Sequence, residues 1–410
     1  MKRRTLIAAT AATAATAALA AAPLARGRAA APATVHWWYH FDNPRASPAA
    51  LVAAFEAANP GIRIMAESIP WGGGADYDNR LYTALVSGGG PDCAMVKLEN
   101  LGRLMEMQAL EDLGPMIDAW SGKADINPDI WRINTAPTGV RYYLPVQYVM
   151  LYLYVRRDWL DAAHLAPPAS FPEFLHAAQA MTAKGHWGFG LRGASGGQDF
   201  WATFVLGGGA KLAKGGLVTP AAIAADAWFI DLFRKWKVCP PSAPTDGFLQ
   251  TINNMKAGVT GMTIHHIGSA NALVAALGDR ITAVPVPRGP QGTGWATFGD
   301  GSNAIFAGSR NKEAAWRWLS FLSTAKNNVA FNLLTGQVTV TTSGAAHWTA
   351  EPKRFVEATL ASLPLAHVFP AVPATAEFVS TVWPQMTQKA LLGEITPAAM
   401  MQSFEKLYFG

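Results

Sequence analysis

The stretch that decides the fold spans residues 144–190 and reads LPVQYVMLYLYVRRDWLDAAHLAPPASFPEFLHAAQAMTAKGHWGFG. Within residues 148–155, aromatic or methionine side chains alternate with aliphatic ones, and this period of two predicts one strand with two chemically different faces. After a Pro-Pro break, Ser170 and Pro172 predict the start of a helix. The stretch therefore indicates strands and helices that alternate along the chain.

Length and composition indicate a globular protein of two domains. The chain has 410 residues, which is too many for one ordinary core. Half of its residues are hydrophobic and 15% are charged, the opposite of the balance found in disordered chains.

Residues 1–30 are predicted to be an export signal peptide. Lys2, Arg3 and Arg4 form a charged start, an Ala/Thr tract follows, and small residues near position 30 offer cleavage sites. The tract is too weakly apolar for a membrane anchor. The arginine pair resembles a twin-arginine signal, although Lys2 stands where that signal usually has serine, so the general secretory route stays open.

The leader accounts for the net charge. The chain carries +5, and residues 1–30 contribute five basic residues and no acidic one, so the remainder is 5 − 5 = 0. This balance gives no support for nucleic-acid binding. Cys93 and Cys239 are the two cysteines. Neither can carry an N-terminal lipid, and we favour unpaired thiols over a disulfide. A soluble periplasmic product is expected.

The first hundred residues after the leader predict a parallel sheet. A strand at residues 34–41 is followed by a helix that ends at Asn59-Pro60-Gly61, a strand at 62–66, a second helix and a strand at 92–96. Such strand-helix-strand units give parallel strands with right-handed crossovers. Ligands of these sheets bind beyond the carboxyl ends of the strands.

Several motifs, in this order, resemble the extracellular solute-binding proteins that feed ABC importers, in particular the sugar-binding, maltose-binding-protein-like branch. They are HWWYH, FEAANPGI, GGGPDCAMV, KAGVTGMTIHH, VPVPRGPQGTGW and LLGEITPAAM. The resemblance covers nearly all of residues 34–410 and extends to the opening stretch, which corresponds to the family's first crossing between lobes.

The resemblance implies an α/β protein with two lobes, each a mainly parallel sheet flanked by helices, and a ligand cleft between them. One lobe would hold residues 34–147 and 299–343, and the other residues 148–298 and 344–410. The implied function is capture of a neutral sugar or sugar alcohol by lobe closure and its delivery to the transmembrane subunits of an ABC permease. A monomer without a cofactor is expected.

Candidate ligand-binding residues combine aromatic platforms with polar side chains, because sugars present C–H faces and hydroxyl rims. Trp38 and His40 share one side of the first strand, and Trp37 faces the other; either side could face the cleft. Asp92 could bind ligand or cap a turn. The histidine pair of the set is read as hydrogen-bonding and not as a metal site, since adjacent strand residues face apart. The full set is Trp38, His40, Trp71, Tyr77, Asp92, Gln147, Tyr148, Gln198, Trp201, His265, His266, Trp295 and Asp300.

Catalytic motifs are missing from the sequence. It has no Gly-x-Ser-x-Gly, no His-Glu-x-x-His and no cysteine cluster, and residues 72–74 lack the pattern of a phosphate-binding loop. Carboxylates are expected to be sparse in the cleft. An exported carbohydrate-active hydrolase stays open as an alternative, as do a sensory role and a sugar phosphate or glycerol phosphate ligand held by Arg80 or Arg192.

Overall fold

The computed structural model describes residues 32–41, 46–70, 75–136, 138–345, 348 and 352–410. The predicted leader lies outside these residues. The strands are β1 Ala33–Tyr39, β2 Ile62–Ser68, β3 Cys93–Val96, β4 Tyr143–Met150, β5 Tyr152–Arg156, β6 Trp187–Phe189, β7 Thr260–His265, β8 Ile281–Val284, β9 Ala296–Ile305, β10 Val338–Thr339 and β11 Ala366–His367.

The α-helices are α1 Ala49–Ala58, α2 Ala75–Val86, α3 Leu101–Glu106, α4 Gly114–Ala119, α5 Pro128–Asn134, α6 Arg157–Ala162, α7 Phe171–Ala180, α8 Gln198–Phe204, α9 Pro220–Arg234, α10 Phe248–Lys256, α11 Ala270–Leu277, α12 Lys312–Leu322, α13 Ala325–Thr335, α14 Thr342–Ala345, α15 Lys353–Ser362, α16 Pro373–Glu377, α17 Trp383–Leu392 and α18 Pro397–Phe409. The start predicted for α7 is confirmed: Ser170 and Glu173 form a capping box there.

The strands form two sheets. The larger has the order β10-β4-β9-β3-β1-β2, with β11 paired to the start of β9, and the smaller has the order β6-β7-β5-β8. We call the larger sheet with α1–α5 and α12–α14 the first lobe, and the smaller sheet with α6–α11 and α15–α18 the second lobe. The predicted two-lobed α/β class is confirmed.

The expectation of mainly parallel sheets is wrong for the second lobe and holds for only part of the first, where β9 is antiparallel to β3 and β4, and β10 is antiparallel to β4. β1 pairs with β2 and β3 in parallel, as the strand-helix-strand units predict. In the second lobe, β5 is antiparallel to both β7 and β8, and β6 with β7 is the parallel pair. β5 begins where the chain arrives from the first sheet, and its first residue, Tyr152, pairs with His265, the last residue of β7, so the two strands run in opposite directions.

The single strand predicted over residues 148–155 is also wrong. β4 ends at Met150 in the first sheet and β5 begins at Tyr152 in the second, so the chain changes sheets at Leu151. Both faces of β5 are buried, so the alternation of side-chain types does not mark the break. The chain returns to the first sheet at Ala296. The predicted lobe boundaries, at residues 147, 298 and 343, stay a prediction.

Each lobe has an apolar core of its own, and a third apolar cluster contains residues of both lobes. In the first lobe, Trp37 and Phe55 pack with Trp318 at ring-centroid distances of 5.3 and 5.2 Å. In the second, Phe174 and Phe204 pack 4.9 Å apart. Cys93 and Cys239 are buried in these separate cores as free thiols.

Candidate functional site

A cleft of about 1410 Å³, counted out to its open mouth, lies between the two sheets. Both lobes and the β9 crossing supply its walls. Its lining residues are His40, Phe41, Asp78, Lys97, Leu98, Glu99, Asn100, Gln147, Val149, Leu151, Arg192, Ser195, Gly196, Gln198, Asp199, Phe200, Phe248, Ile264, His265, His266, Thr297, Phe298, Gly299, Thr335, Gln337, Val368, Phe369, Ala376, Val379 and Ser380. Five predicted site residues are among them: His40, Gln147, Gln198, His265 and His266.

Three buried polar atoms in this lining make no hydrogen bond within the part of the chain that the structure describes. They are Oε1 of Gln147, Oε1 of Gln198 and Nε2 of His265. A buried polar atom left without a partner costs about 1–3 kcal/mol. Because β4, α8 and β7 direct these atoms into one space, a ligand with hydroxyl groups could satisfy all three.

Phe248 and two histidines form one wall of the cleft. The ring of Phe248 lies 4.4 Å from the ring of His265 and 5.5 Å from that of His266, between centroids. Nδ1 of His265 lies 2.9 Å from the Ser269 hydroxyl. Burial, with the neighbouring charges of His266 and Arg192, holds the pKa of His265 well below its usual value. The imidazole of His265 is therefore neutral at physiological pH and can exchange hydrogen bonds with a neutral ligand.

His40 forms part of the opposite wall and rests on Tyr77. The two rings meet edge to face with centroids 4.9 Å apart, and the Tyr77 hydroxyl donates to the carbonyl of Met95 at 2.7 Å. Burial, assisted by the charge of Lys97, keeps the pKa of His40 well below its usual value. Tyr77, a predicted ligand residue, is thus placed behind His40 and supports it.

Three carboxyl side chains line the cleft, where the sequence predicts that carboxylates are sparse. Asp78 and Glu99 approach from the first lobe and Asp199 from the second. Burial raises the pKa of Asp199 to about 7, and the nearby Glu99 adds to the shift, while Arg192, a hydrogen bond from Thr297 and Lys97 oppose it.

The second of these carboxylates, Asp78, lies close to Asn100. Its Oδ1 accepts a hydrogen bond from Nδ2 of Asn100 at 2.9 Å. Burial raises the pKa of Asp78 to about 7, with Glu99 acting in the same direction and Lys97 and Asn100 opposing. At neutral pH, the cleft therefore holds carboxyl groups near the midpoint of their titration beside fixed cations.

Three predicted tryptophans pack outside the cleft lining. Trp38 is buried beneath the guanidinium of Arg80, which lies 5.0 Å from the ring centroid. Trp201 is fully buried and donates to Asp226 at 2.8 Å. Trp295 stacks on His367 at 4.5 Å and donates to Thr297, which does line the cleft.

Asp92 lies at the edge of the sheet opposite the cleft, because it precedes β3 and the cleft lies beyond the strand's carboxyl end. Its carboxylate accepts hydrogen bonds from the amide of His36 and the side chains of Ser309 and Asn311. This network joins β1, β3 and the start of α12. The carboxylate of Asp92 is thus hydrogen-bonded within the first lobe, away from the cleft.

The remaining predicted residues are Tyr148, which does not line the cleft, and Asp300 and Trp71, whose side chains lie outside the part that the structure describes. Tyr148 stacks on Phe298, with centroids 5.7 Å apart and ring planes at 6°, on the face of β4 opposite Gln147. The backbone of Asp300 pairs with Tyr148 in the sheet, and its side chain is outside the described part. Trp71 and residues 72–74 also lie outside it.

Of the two arginines that the sequence offers for an anionic ligand, Arg80 and Arg192, one lines the cleft. Arg192 is buried there, with its guanidinium 5.3 Å from the centroid of Phe248. Arg80 pairs with Glu67 at 2.7 Å on the surface. The described residues contain no cluster of three or more metal-ligating side chains. None of the helices that the structure describes is long and apolar enough to span a bilayer.

Comparison with known proteins agrees with this architecture. The sequence profile of the bacterial extracellular solute-binding proteins matches residues 40–329, and the chain belongs to this family. A protein of Brucella abortus (strain 2308), which carries the provisional name of a binding protein, is 26% identical over 364 residues, or 85% of each chain.

Solved structures share the fold. An ABC transporter solute-binding protein from Thermotoga lettingae TMO, bound with alpha-D-tagatose, superposes with a TM-score of 0.79 at 22% identity, covering 92% of this chain and 100% of its own. Another, from Agrobacterium radiobacter K84 in complex with ribitol, gives 0.78 at 19% identity, covering 92% and 98%. At these identities, the likeness establishes the two-lobed fold.

Proposed function

We propose that this protein is the periplasmic substrate-binding component of an ABC importer and captures a neutral sugar or sugar alcohol. The observation that carries the proposal is the set of three unpaired buried atoms, on Gln147, Gln198 and His265, which converge on one cleft between the lobes. A polyhydroxylated ligand supplies donors and acceptors for all three. The solved relatives bound to tagatose and ribitol support the same ligand class.

The charges in the cleft favour a neutral ligand over an anionic one. Lys97 and Arg192 are faced by the carboxyl groups of Asp78, Glu99 and Asp199. A phosphate dianion would gain from the cations and be repelled by the carboxylates, whereas hydroxyl groups can donate to carboxylates and accept from cations. A sugar phosphate is the second candidate, because Arg192 and Lys97 both line the cleft.

Capture would follow the mechanism of two hinged lobes. The ligand binds between them, its contacts with both favour the closed arrangement, and the permease recognises that arrangement. No covalent step and no cofactor enter this scheme. We further propose that the protein acts as a monomer and that residues 1–30 are removed during export.

The test is a thermal-unfolding screen of the protein lacking residues 1–30 against neutral sugars, polyols and their phosphates. A ligand at a hundred times its Kd stabilises the folded state by about 2.7 kcal/mol, which raises the Tm measurably. A rise with a neutral sugar or polyol that is recovered unchanged supports the proposal. A rise in Tm with phosphates only, or no rise with any compound of the panel, refutes the neutral-ligand assignment.

The hydrolase alternative is tested in the same samples. A hydrolase would convert the stabilising sugar to product, and Asp199→Asn would stop that conversion, because paired carboxyl groups perform glycoside hydrolysis. Quantitative recovery of the sugar after prolonged incubation excludes turnover of that compound.

A further inference from the structure

The two lobes also touch each other beside the cleft. α16 of the second lobe packs on α3 and on the turn Leu98–Asn100 of the first lobe. At this contact, Gly102 of α3 faces the backbone of Val372, the residue that precedes α16. A Cβ added at Gly102 would lie 2.3 Å from the carbonyl carbon of Val372 and 2.6 Å from its Cα and N. Real Cβ atoms do not approach a backbone this closely, so any residue other than glycine would force the two segments apart.

The segment that carries Val372 is anchored in the second lobe. Phe369 and Phe378, on either side of it, pack 5.7 Å apart in that lobe's core. The hydroxyls of Thr375 and Tyr408 lie 3.1 Å apart and join α16 to α18. α16 is therefore an arm of the second lobe that reaches onto the first.

The same contact closes one edge of the cleft. Ala376 of α16 lines the cleft together with Leu98 and Asn100, which belong to the turn that α16 covers. Leu101 of the first lobe belongs to the apolar cluster that contains residues of both lobes, and Ala371 of the second lobe packs against that cluster. Separation of α16 from α3 would thus expose apolar surface and open the cleft along this edge to water.

We propose that the contact between α16 and α3, made possible by Gly102, is a latch that holds the lobes closed over the ligand. The inference rests on the proposed function, because it assigns a closing element to the same cleft. Gly102 is a positioning residue: it touches no ligand and acts by letting the two lobes meet backbone to backbone. A ligand inside the cleft must wait for the latch to separate before it can leave.

The decisive variant is Gly102→Ala, with Gly61→Ala as its matched control. The backbone of Gly102 is helical, so alanine there favours α3 by up to about 1 kcal/mol, and a loss of closure cannot be assigned to a weakened helix. An added methyl at Gly61, also in the first lobe, meets nothing within 4 Å. Ala371→Asp disturbs the same contact from the second lobe and leaves α3 intact. The latch can therefore still be tested if one of the two variants misfolds.

Spin labels on Val86→Cys and Leu392→Cys report the distance between the lobes. The two positions are 79% and 62% exposed and lie on different lobes, while Cys93 and Cys239 are buried, so labelling is directed to the introduced thiols. Without any added compound, we expect the distances between the two spin labels to be longer in Gly102→Ala and Ala371→Asp. The comparison is with the labelled protein that has an unsubstituted latch and with the labelled Gly61→Ala variant. Identical distributions in all four proteins would overturn the latch.

Affinity gives the second measurement, with the compound that raises the Tm most in the sugar and polyol panel. We expect both latch variants to raise its Kd at least tenfold, mainly through faster dissociation, and Gly61→Ala to leave it unchanged. An unaltered Kd in both latch variants also overturns the proposal. If no compound binds the unsubstituted protein, the proposed ligand class fails, while the distances without compound still decide the latch.

Discussion

The ring of Phe248 lies against the imidazole of His265 with centroids 4.4 Å apart, so the first residue of α10 shields the last residue of β7 from water. Phe248 also lies within 5.3 Å of the Arg192 guanidinium. One aromatic ring thus keeps an imidazole and a cation in fixed positions along the cleft. Its apolar face is also suited to the C–H face of a sugar.

Replacement of Phe248 by alanine should weaken ligand binding at least tenfold, or by about 1.4 kcal/mol, because it removes this apolar face and hydrates His265. Leu249→Ala is the matched control: Leu249 is the next residue of the same helix and is 66% exposed. Titration calorimetry of both variants measures the difference. Equal affinities would mean that the ligand does not contact this wall.

Replacement of Gln147 or Gln198 by alanine should weaken binding by about 1–2 kcal/mol each and leave the Tm nearly unchanged. The reason is that their Oε1 atoms make no hydrogen bond within the described part of the protein, so the stabilising partner of each is the ligand.

Asp92→Ala provides the opposite control. It removes the acceptor for His36, Ser309 and Asn311 and should cost about 1–3 kcal/mol of folding free energy without a change in Kd. Binding titrations and unfolding curves of the three variants test the contrast. A glutamine variant that loses stability but keeps its affinity would assign that glutamine to the scaffold.

Ligand affinity should rise with pH between about 6 and 8. Burial raises the pKa of Asp199 to about 7, and the charge of Glu99 adds to this shift, while the charges of Arg192 and Lys97 and a hydrogen bond with Thr297 oppose it. A ligand hydroxyl that donates to this carboxyl favours its ionised form, so binding below pH 7 must first release a proton. For one such group, the Kd changes by at most about tenfold per pH unit.

Asp199→Asn should flatten this pH profile, and Asp226→Asn should not. Burial raises the pKa of Asp226 to about 7 as well, but this carboxyl lies in the second-lobe core, where it is bonded to Trp201 and does not line the cleft. Calorimetry in buffers of different ionisation enthalpy counts the protons released. A profile that Asp199→Asn leaves unaltered would assign the proton to another group, and Asp78 is the next to test.

Folding stability should fall as pH rises from about 4 to 7, in part because of Asp226. Its pKa is higher in the folded chain than in the unfolded one, so between those values the folded state binds the additional proton. The contribution of Asp226 to the free energy of unfolding is therefore full at acid pH and is lost toward pH 7. The loss is on the order of 1.4 kcal/mol per pH unit.

Asp226→Asn keeps an acceptor for Trp201 and removes the titrating group. Its stability relative to the unsubstituted protein should therefore improve with pH up to about 7 and then level off. Urea unfolding from pH 4 to 8 measures this difference, and parallel curves for the two proteins would refute it. Because Asp78 and Asp199 have raised pKa values too, the comparison between the two proteins isolates the contribution of Asp226.

The sequence located the cleft best where it relied on strand ends. His40 follows β1 and His265 ends β7, and both lie in the cleft, as expected for the carboxyl ends of strands. The same rule, applied consistently, would have excluded Asp92, which precedes its strand. It would also have selected Lys97 and Glu99, which follow β3.

Aromatic side chains are harder to place from the sequence. Trp38 is predicted from the same strand end as His40, and Trp201 from its position after the loop that precedes α8, yet both are large apolar groups that the folded chain buries in its cores. The sequence could not distinguish a core tryptophan from one that stacks on a sugar, since the choice depends on which face of an element meets the partner lobe. The sequence does not mark the break at Leu151, because burial on both sides of β5 gives no change of pattern.

The placement of the tryptophans has a practical consequence for any optical assay. None of the tryptophans that the structure describes lines the cleft, so a bound sugar contacts phenyl rings and imidazoles there. Intrinsic tryptophan fluorescence should therefore respond very little to ligand occupancy itself. Trp295, half-buried at the β9 crossing and bonded to Thr297, is the indole best situated to register a change at the crossing. A fluorescence change on adding sugar would therefore be a signal of lobe movement, and its absence would not be a sign of an empty cleft.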